Sequence, residues 1–361
     1  MNTIRCAVQH RCAGFATLLA VVLAGCAAST QKDAQSPGAK TAERAAQLPA
    51  DKVATEVIPL EVQIFFRPLP AAMPGSQNDT PEMIALGRKL YFERAISLNN
   101  TQSCNDCHRL DQQLAGVDNE PTSKGVKGLP GARNSPTVVN AGFQLAQFWD
   151  GRAPDLVEQA KGPVLNPVEM AMPTEADVVN RLKGLEGYDR AFAVAFPGQA
   201  DPITFDNTAR AIAAFERTLI EPARFDRYLK GDPGALTDEE KSGLHMFTHT
   251  GCTECHSSYT VGGRLFEKVG VFHPFPNLQD EGRSGVTHQE EDRYVFKAPM
   301  LRNVTLTAPY FHDGSVSELS EAVRLMAWIQ LDTELSPSEI DEIICFLYTL
   351  ESEHPIDISS P

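Results

Sequence analysis

Two five-residue segments, Cys104-Asn105-Asp106-Cys107-His108 and Cys252-Thr253-Glu254-Cys255-His256, constrain this chain more than any other feature. Each reads Cys-x-x-Cys-His. That spacing lets two thiols add across the two vinyl groups of a haem and sets the adjacent imidazole under the iron as its fifth ligand. Zinc sites also use Cys-x-x-Cys, and a thioredoxin-like redox pair tolerates a following histidine, but two copies both completed by His argue against these readings. Of the eight cysteines, the others stand at 6, 12, 26 and 345. Cys345 lies in the apolar run Ile343-Ile344-Cys345-Phe346-Leu347 and reads as a buried, inert thiol.

The N-terminus reads as an export signal. Residues 1–11 are short and basic, and the apolar run Cys12–Gly25 is too short to span a bilayer but suits a signal-peptide core. Residues 1–25 are therefore the expected signal peptide. Leu23-Ala24-Gly25-Cys26 resembles the lipobox of bacterial lipoproteins, which would make Cys26 the acylated first residue of the mature chain; ordinary cleavage also fits these small residues. Residues 26–57 hold almost no large apolar side chain and read as a flexible tether. The expected location is the periplasm, with contact to the membrane only through a lipid on Cys26.

The 361 residues suffice for roughly two domains. A helix signal precedes each haem motif: Thr80-Pro81-Glu82 supplies an N-cap with proline at the first helical position, and Thr237-Asp238-Glu239-Glu240 a capping box. Further helices are predicted over 175–182, 206–219, 318–326 and from the capping box at Ser336 through Tyr348. Period-two alternation is scarce, so little sheet is expected. The predicted fold is all-α, with two cytochrome-c-like domains over 58–224 and 225–354 and a loop at Gly231-Asp232-Pro233-Gly234 near their boundary. The net charge of −15 makes nucleic acid a poor partner.

From about Leu86 to Leu350 the chain resembles the bacterial di-haem cytochrome c peroxidase family. The resemblance is carried by Leu86–Phe92, Arg133-Asn134-Ser135-Pro136-Thr137, Phe148–Ala153, Asn166-Pro167-Val168-Glu169-Met170, and Leu301–Val304 through Pro309–Gly314. It implies two covalently bound c-type haems. The first, on Cys104, Cys107 and His108, is the low-potential peroxidatic centre. The second, on Cys252, Cys255 and His256 with Met326 as sixth ligand, is the high-potential entry point for electrons from a small cytochrome c or cupredoxin; Met300 is the runner-up ligand. A thioether raises the potential, in keeping with that role. Glu169 corresponds to the family's active-site carboxylate, Gln159 to a polar neighbour, and Trp149 to the aromatic residue between the haems. The family also binds calcium, here implied at Asn134, Thr307 and Pro309. It is often dimeric, which leaves a homodimer open. The implied reaction is reduction of hydrogen peroxide to water.

One position departs from the pattern. Many members carry a histidine before Arg-Asn-Ser-Pro that caps the peroxidatic iron in the oxidised resting form. Counting back from Arg133 places Val126 there, and an isopropyl group ligates nothing. An open N-terminal site is therefore expected even in the oxidised protein, unless a deprotonated Lys124 or Lys127 substitutes at a desolvation cost. The methylamine-utilisation type of di-haem oxidase, which modifies Tyr or Trp residues of a partner protein, also lacks that histidine, but it has Tyr where this chain has Met326. A non-catalytic di-haem electron carrier is the third reading and needs no Glu169. The remaining histidines (His245, His249, His273, His288, His312 and His354) read as surface or structural residues.

Overall fold

Side-chain caps set where the main helices begin. The computed structural model describes residues 58–110 and 115–353; the expected signal peptide, the tether with Cys26, and His354 lie outside the described residues. The helices are α1 (Leu60–Phe65), α2 (Pro81–Tyr91), α3 (Cys104–Cys107), α4 (Leu156–Leu165), α5 (Glu175–Lys183), α6 (Tyr188–Ala195), α7 (Phe205–Glu216), α8 (Arg224–Leu229), α9 (Asp238–His249), α10 (Ser284–Thr287), α11 (Leu319–Leu331) and α12 (Pro337–Tyr348). Two three-residue strands, β1 (Phe266–Lys268) and β2 (Val295–Lys297), pair antiparallel with Phe266 opposite Lys297. Thr80 accepts the Met83 N–H at 3.2 Å, and reciprocal capping boxes at Thr237/Glu240 and Ser336/Glu339 start α9 and α12. Two ends differ from expectation: α7 stops at Glu216 rather than Leu219, and α11 continues past Met326 to Leu331. Among the described residues, no helix is long and apolar enough to cross a membrane.

The helices build two principal cores. The first lies among α2, α4, α5, α6 and α7, with Leu90, Val164, Leu182, Phe192 and Ile212 buried. The second joins α8, α9 and α12 to α1, whose Val62, with Phe66 just beyond it, packs among Phe225, Phe247, Ile343 and Phe346. Residues 58–66, expected at the start of the first haem domain, thus belong to the second core. Cys345 is buried on α12, as its apolar run suggested.

Close helix crossings depend on two glycines. A Cβ at Gly87 of α2 would stand 1.8 Å from the Ala211 carbonyl oxygen of α7, and one at Gly243 of α9 would stand 2.0 Å from the Glu342 carbonyl oxygen of α12. Backbone atoms of a packed helix cannot swing aside, so only glycine permits these approaches. The last residue of α7, Glu216, is buried, with Oε2 lacking a hydrogen-bond partner. Burial pushes its carboxyl from the ordinary 4.5 up to about 8, against the opposing pull of Arg217.

Gly87→Ala or Gly243→Ala should lower stability by about 1–3 kcal/mol through overpacking, read as a lower denaturant midpoint at unchanged m-value. Glu216 should leave a pH signature. Because its folded pKa is raised, its stabilising contribution is complete below about pH 4.5 and is lost as pH climbs toward about 8. Unfolding of the haem-loaded protein between pH 5 and 8 should show this decline, and Glu216→Gln should flatten it; parallel profiles for the two proteins would contradict the assignment.

Candidate active site

The first Cys-x-x-Cys-His segment forms a single helical turn, α3, and residues three apart on such a turn share a face. Asp106 Oδ2 accepts the Ser103 N–H at 2.8 Å and the Ser103 hydroxyl at 2.9 Å, closing a capping box that fixes the turn. His108 follows as the C-cap, and its carbonyl accepts the Tyr91 hydroxyl at 2.6 Å. Burial raises both thiols, Cys107 to about 11. Burial also lowers the pKa of His108, which favours the neutral ring. Its Nδ1 is buried near the backbone of Gly116 and Pro136 without closing a hydrogen bond to either.

Glu169 sits on the turn that ends α4. The Asn166 side-chain amide donates to its Oε1 at 2.8 Å, and its own N–H donates to the Asn166 carbonyl at 3.0 Å. Burial raises its pKa, opposed by the Arg152 charge and the Asn166 hydrogen bond. The Glu169 charge also acts on the Cys107 thiol, so the carboxylate and the first thiol pair share one neighbourhood. Gln159 lies partly buried on α4, ahead of this turn.

The loop that carries Val126 folds over the same turn. It is a small hairpin: the Gly125 N–H donates to the Leu129 carbonyl at 2.9 Å and the Gly131 N–H to the Ser123 carbonyl at 2.8 Å. The Val126 N–H donates to the Glu169 carbonyl at 2.8 Å. Gly125 packs so tightly on Val168 that a Cβ there would meet the Val168 carbonyl oxygen at 1.9 Å. Lys124 and Lys127 are both exposed, which argues against either as a substitute ligand.

The second motif follows α9 through Gly251, whose φ of +96° turns the chain into Cys252–Glu254. Cys252, Cys255 and His256 line a predominantly apolar cavity of about 190 Å³ together with Met326 from α11. Met300 lines a different cavity. Burial lowers the His256 pKa to about 4, so the ring is neutral and available as a ligand. Its Nδ1 likewise faces the backbone of Val261 and Pro299 without closing a hydrogen bond.

Two further polar residues on this wall had no sequence signal as site residues. Lys297 is 4% exposed, and its Nζ reaches only a neutral partner, Gln144 Oε1 at 2.5 Å. Among the described residues no carboxylate forms an ion pair with it, and burial lowers its pKa to about 7 despite the field of Asp150. His312, expected at the surface or in a structural role, is buried, stacks on Phe296 at 4.2 Å between ring centroids, and leaves Nε2 unpartnered. The donor set of paired thiols, a neutral imidazole, a thioether on another helix and a buried lysine without a carboxylate partner fits a haem c. The sulfurs would carry its thioether links, His256 and Met326 would ligate its iron, and Lys297 would meet its carboxylates.

Between the two sites lies a smaller cavity of about 90 Å³, lined by Asn134, Thr307, Pro309 and Trp149 among others. Trp149 lines the larger cavity too, and its indole N–H donates to the Asn134 carbonyl at 2.9 Å. Arg133 spans the two halves: Nη1 binds Asp150 at 2.6 Å, while Nε and Nη2 bind Asp280 at 2.5 and 2.8 Å. The structure thus gathers Asn134, Thr307 and Pro309 on one cavity and places Trp149 at the wall shared by both.

A family model described as di-haem cytochrome c peroxidase matches residues 81–234. The cytochrome c551 peroxidase of Pseudomonas aeruginosa is 44% identical over 302 residues, 82% of this chain and 86% of that protein. The methylamine utilization protein MauG of Methylorubrum extorquens is 34% identical over 335 residues, 89% of this chain and 92% of that protein. Among solved structures, a MauG-like protein associated with microbial copper homeostasis superposes with a TM-score of 0.70 at 29% identity, covering 81% of this chain and 95% of that one. On a haem-binding geometry and relatives that span most of its length, this chain belongs to the di-haem cytochrome c peroxidase family and is an oxidoreductase of the peroxidase type.

Proposed function

We propose that this chain works in the periplasm as a di-haem peroxidase, converting hydrogen peroxide, two protons and two electrons into two waters, with electrons supplied by a small cytochrome c or a cupredoxin. The observation that carries this reading is Glu169: a half-buried carboxyl with a raised pKa, close to the first thiol pair and bonded through its backbone to the Val126 loop. Cys104, Cys107 and His108 would hold the haem where peroxide reacts, and Cys252, Cys255, His256 and Met326 the haem where electrons enter. When bound, the two haems supply redox-active iron and the storage of electrons.

The chain's own residues do the rest. Glu169 accepts a proton from one oxygen of peroxide and returns it to the other, a transfer worth roughly 10²–10⁴ in rate. Asn166 orients that carboxylate through its 2.8 Å hydrogen bond. Gln159 offers a polar neighbour for peroxide or water. Trp149, held by the Asn134 carbonyl, is the stepping stone for electrons between the sites. Asn134, Thr307 and Pro309 offer oxygens for one calcium ion at the junction. On this reading, 58–224 and 225–354 each carry one haem, 1–25 directs export and a lipid on Cys26 tethers the chain.

Val126 favours a second reading. An open first site with no distal histidine also suits a di-haem oxidase that modifies Tyr or Trp residues of a partner protein. Met326, in place of that protein's tyrosine ligand, supports the peroxidase.

Peroxide turnover with a reduced small cytochrome decides the class: activity is expected in the wild type, and none with any donor would overturn the peroxidase assignment. Glu169→Gln should lower kcat by about 10²–10⁴ while leaving the haem absorption spectrum in place. The working form of Glu169 is the carboxylate, present above its pKa, and burial raises that pKa. The acid limb of the wild-type rate profile should therefore lie above the usual glutamate range and vanish in the Gln variant. Oxidised wild-type protein should show one high-spin haem, and Val126→His should convert it to low spin. Two low-spin haems in the wild type would refute the open site.

A further inference from the structure

We propose that Glu61, His245 and His249 form a surface site for a divalent transition-metal ion of borderline softness, of which zinc and copper(II) are the representative cases. One ligand atom from each of the three side chains falls within 4.8 Å of the other two. None of the three belongs to the haem sites.

The site is built from separate parts of the chain. His245 and His249 are spaced i, i+4 near the C-terminal end of α9, so they project from one helix face. That face is exposed, while Leu244 and Phe247 on the same helix are buried in the second core. The imidazole rings stand 3.7 Å apart between centroids with an interplanar angle of 38°. Glu61 arrives from α1, which Val62 and Phe66 anchor in the same core. Its Oε1 lies 3.6 Å from His245 Nδ1.

His249 is pre-set for coordination. Its Nδ1 lies 3.1 Å from the His245 carbonyl oxygen, and only a protonated Nδ1 bonds a carbonyl. The Nε2 lone pair is thereby left free to bind a metal, the arrangement by which a backbone carbonyl fixes the tautomer of a ligating histidine. Two imidazoles and one carboxylate select zinc, copper(II) or nickel over calcium or magnesium, which prefer all-oxygen shells. Exposure leaves the remaining positions to water, so little desolvation opposes binding. A bound ion would clip α1 to the helix that leads directly into the Cys252 motif.

The competing account is that the stacked histidines and the Glu61 contact are a surface ion-pair arrangement with no ligand. Titrating chelator-stripped, haem-loaded protein with zinc chloride by calorimetry separates the two. The wild type should bind one equivalent more than His245→Ala/His249→Ala. Zinc should raise the melting temperature of the wild type by a few degrees, because the assembled three-ligand site binds it more tightly than the unfolded chain does, and should leave the double variant unmoved. Glu61→Gln should weaken binding without abolishing it. With copper(II), the electron paramagnetic resonance signal should show coupling to two imidazole nitrogens, absent from the double variant. Equal zinc stoichiometry in wild type and double variant, or no melting shift in the zinc-saturated wild type, would overturn the proposal.

Discussion

One buried ion pair, Asp226 with Arg302, ties together segments of this protein that lie far apart in the sequence. Both side chains are about 1% exposed, and the guanidinium meets the carboxylate through two bonds of 2.7 and 2.8 Å. Burying two charges is costly, and the cost is met only when every remaining lone pair and proton is used. Here Asp226 also accepts the N–H groups of Leu69 at 2.6 Å and Ala223 at 2.8 Å, while Arg302 Nε donates to the Tyr259 carbonyl at 2.7 Å. Burial alone would raise the Asp226 pKa; Arg302 and these N–H donors outweigh it and hold it below the ordinary value. The chain leaving α1, the junction before α8, the loop after His256 and the segment leading toward Pro309 therefore meet at one carboxylate.

A second polar junction joins the halves near the sites. Arg133 shares its guanidinium between Asp150 on its own side and Asp280 on the other, and the Lys297 N–H donates to the Trp149 carbonyl at 2.7 Å. The indole of Trp149 is held at both its ring nitrogen and its backbone. The indole, bonded through its N–H, forms part of the wall of both cavities.

How much of this was legible beforehand follows the range of the interaction. Capping boxes at Thr237 and Ser336, the N-cap at Thr80 and the two haem motifs are encoded within a few residues, and each stands where the sequence placed it. Boundaries that depend on tertiary packing were less legible: α11 extends to Leu331, where Ile329 packs with Phe275 and Leu325 in a small buried cluster. The placement of α1 in the second core was invisible, because six residues carry no period and their partners lie some 160 or more positions away. Gly87 stood inside a recognisable motif, but its purpose, the contact with the Ala211 carbonyl, needs two helices to be seen. Lys297 and His312 look like ordinary surface residues in sequence, and only the fold turns them toward the cavity. For Met326 against Met300, helical periodicity offered no decision; the structure places them on different cavities.

Two desolvated carboxyls, Glu216 buried and Glu169 half-buried, stand near the first motif, and their surroundings set them apart. Glu216 lies beside Cys104 with one oxygen unpartnered, and desolvation pushes it to about 8. At neutral pH it is mainly protonated, so it places no full negative charge beside the thiol at the cost of a proton held tightly. Glu169 is also desolvated, but Asn166 donates to it and the Arg152 charge opposes the rise. A carboxyl compensated in that way can ionise and reprotonate at modest cost, as acid–base work demands. Burial alone therefore does not distinguish the two glutamates: the Asn166 hydrogen bond and the Arg152 charge act at Glu169, and Arg217 alone at Glu216. The two glutamates are thus set apart chiefly by the neighbours of Glu169, Asn166 three positions away and Arg152 seventeen.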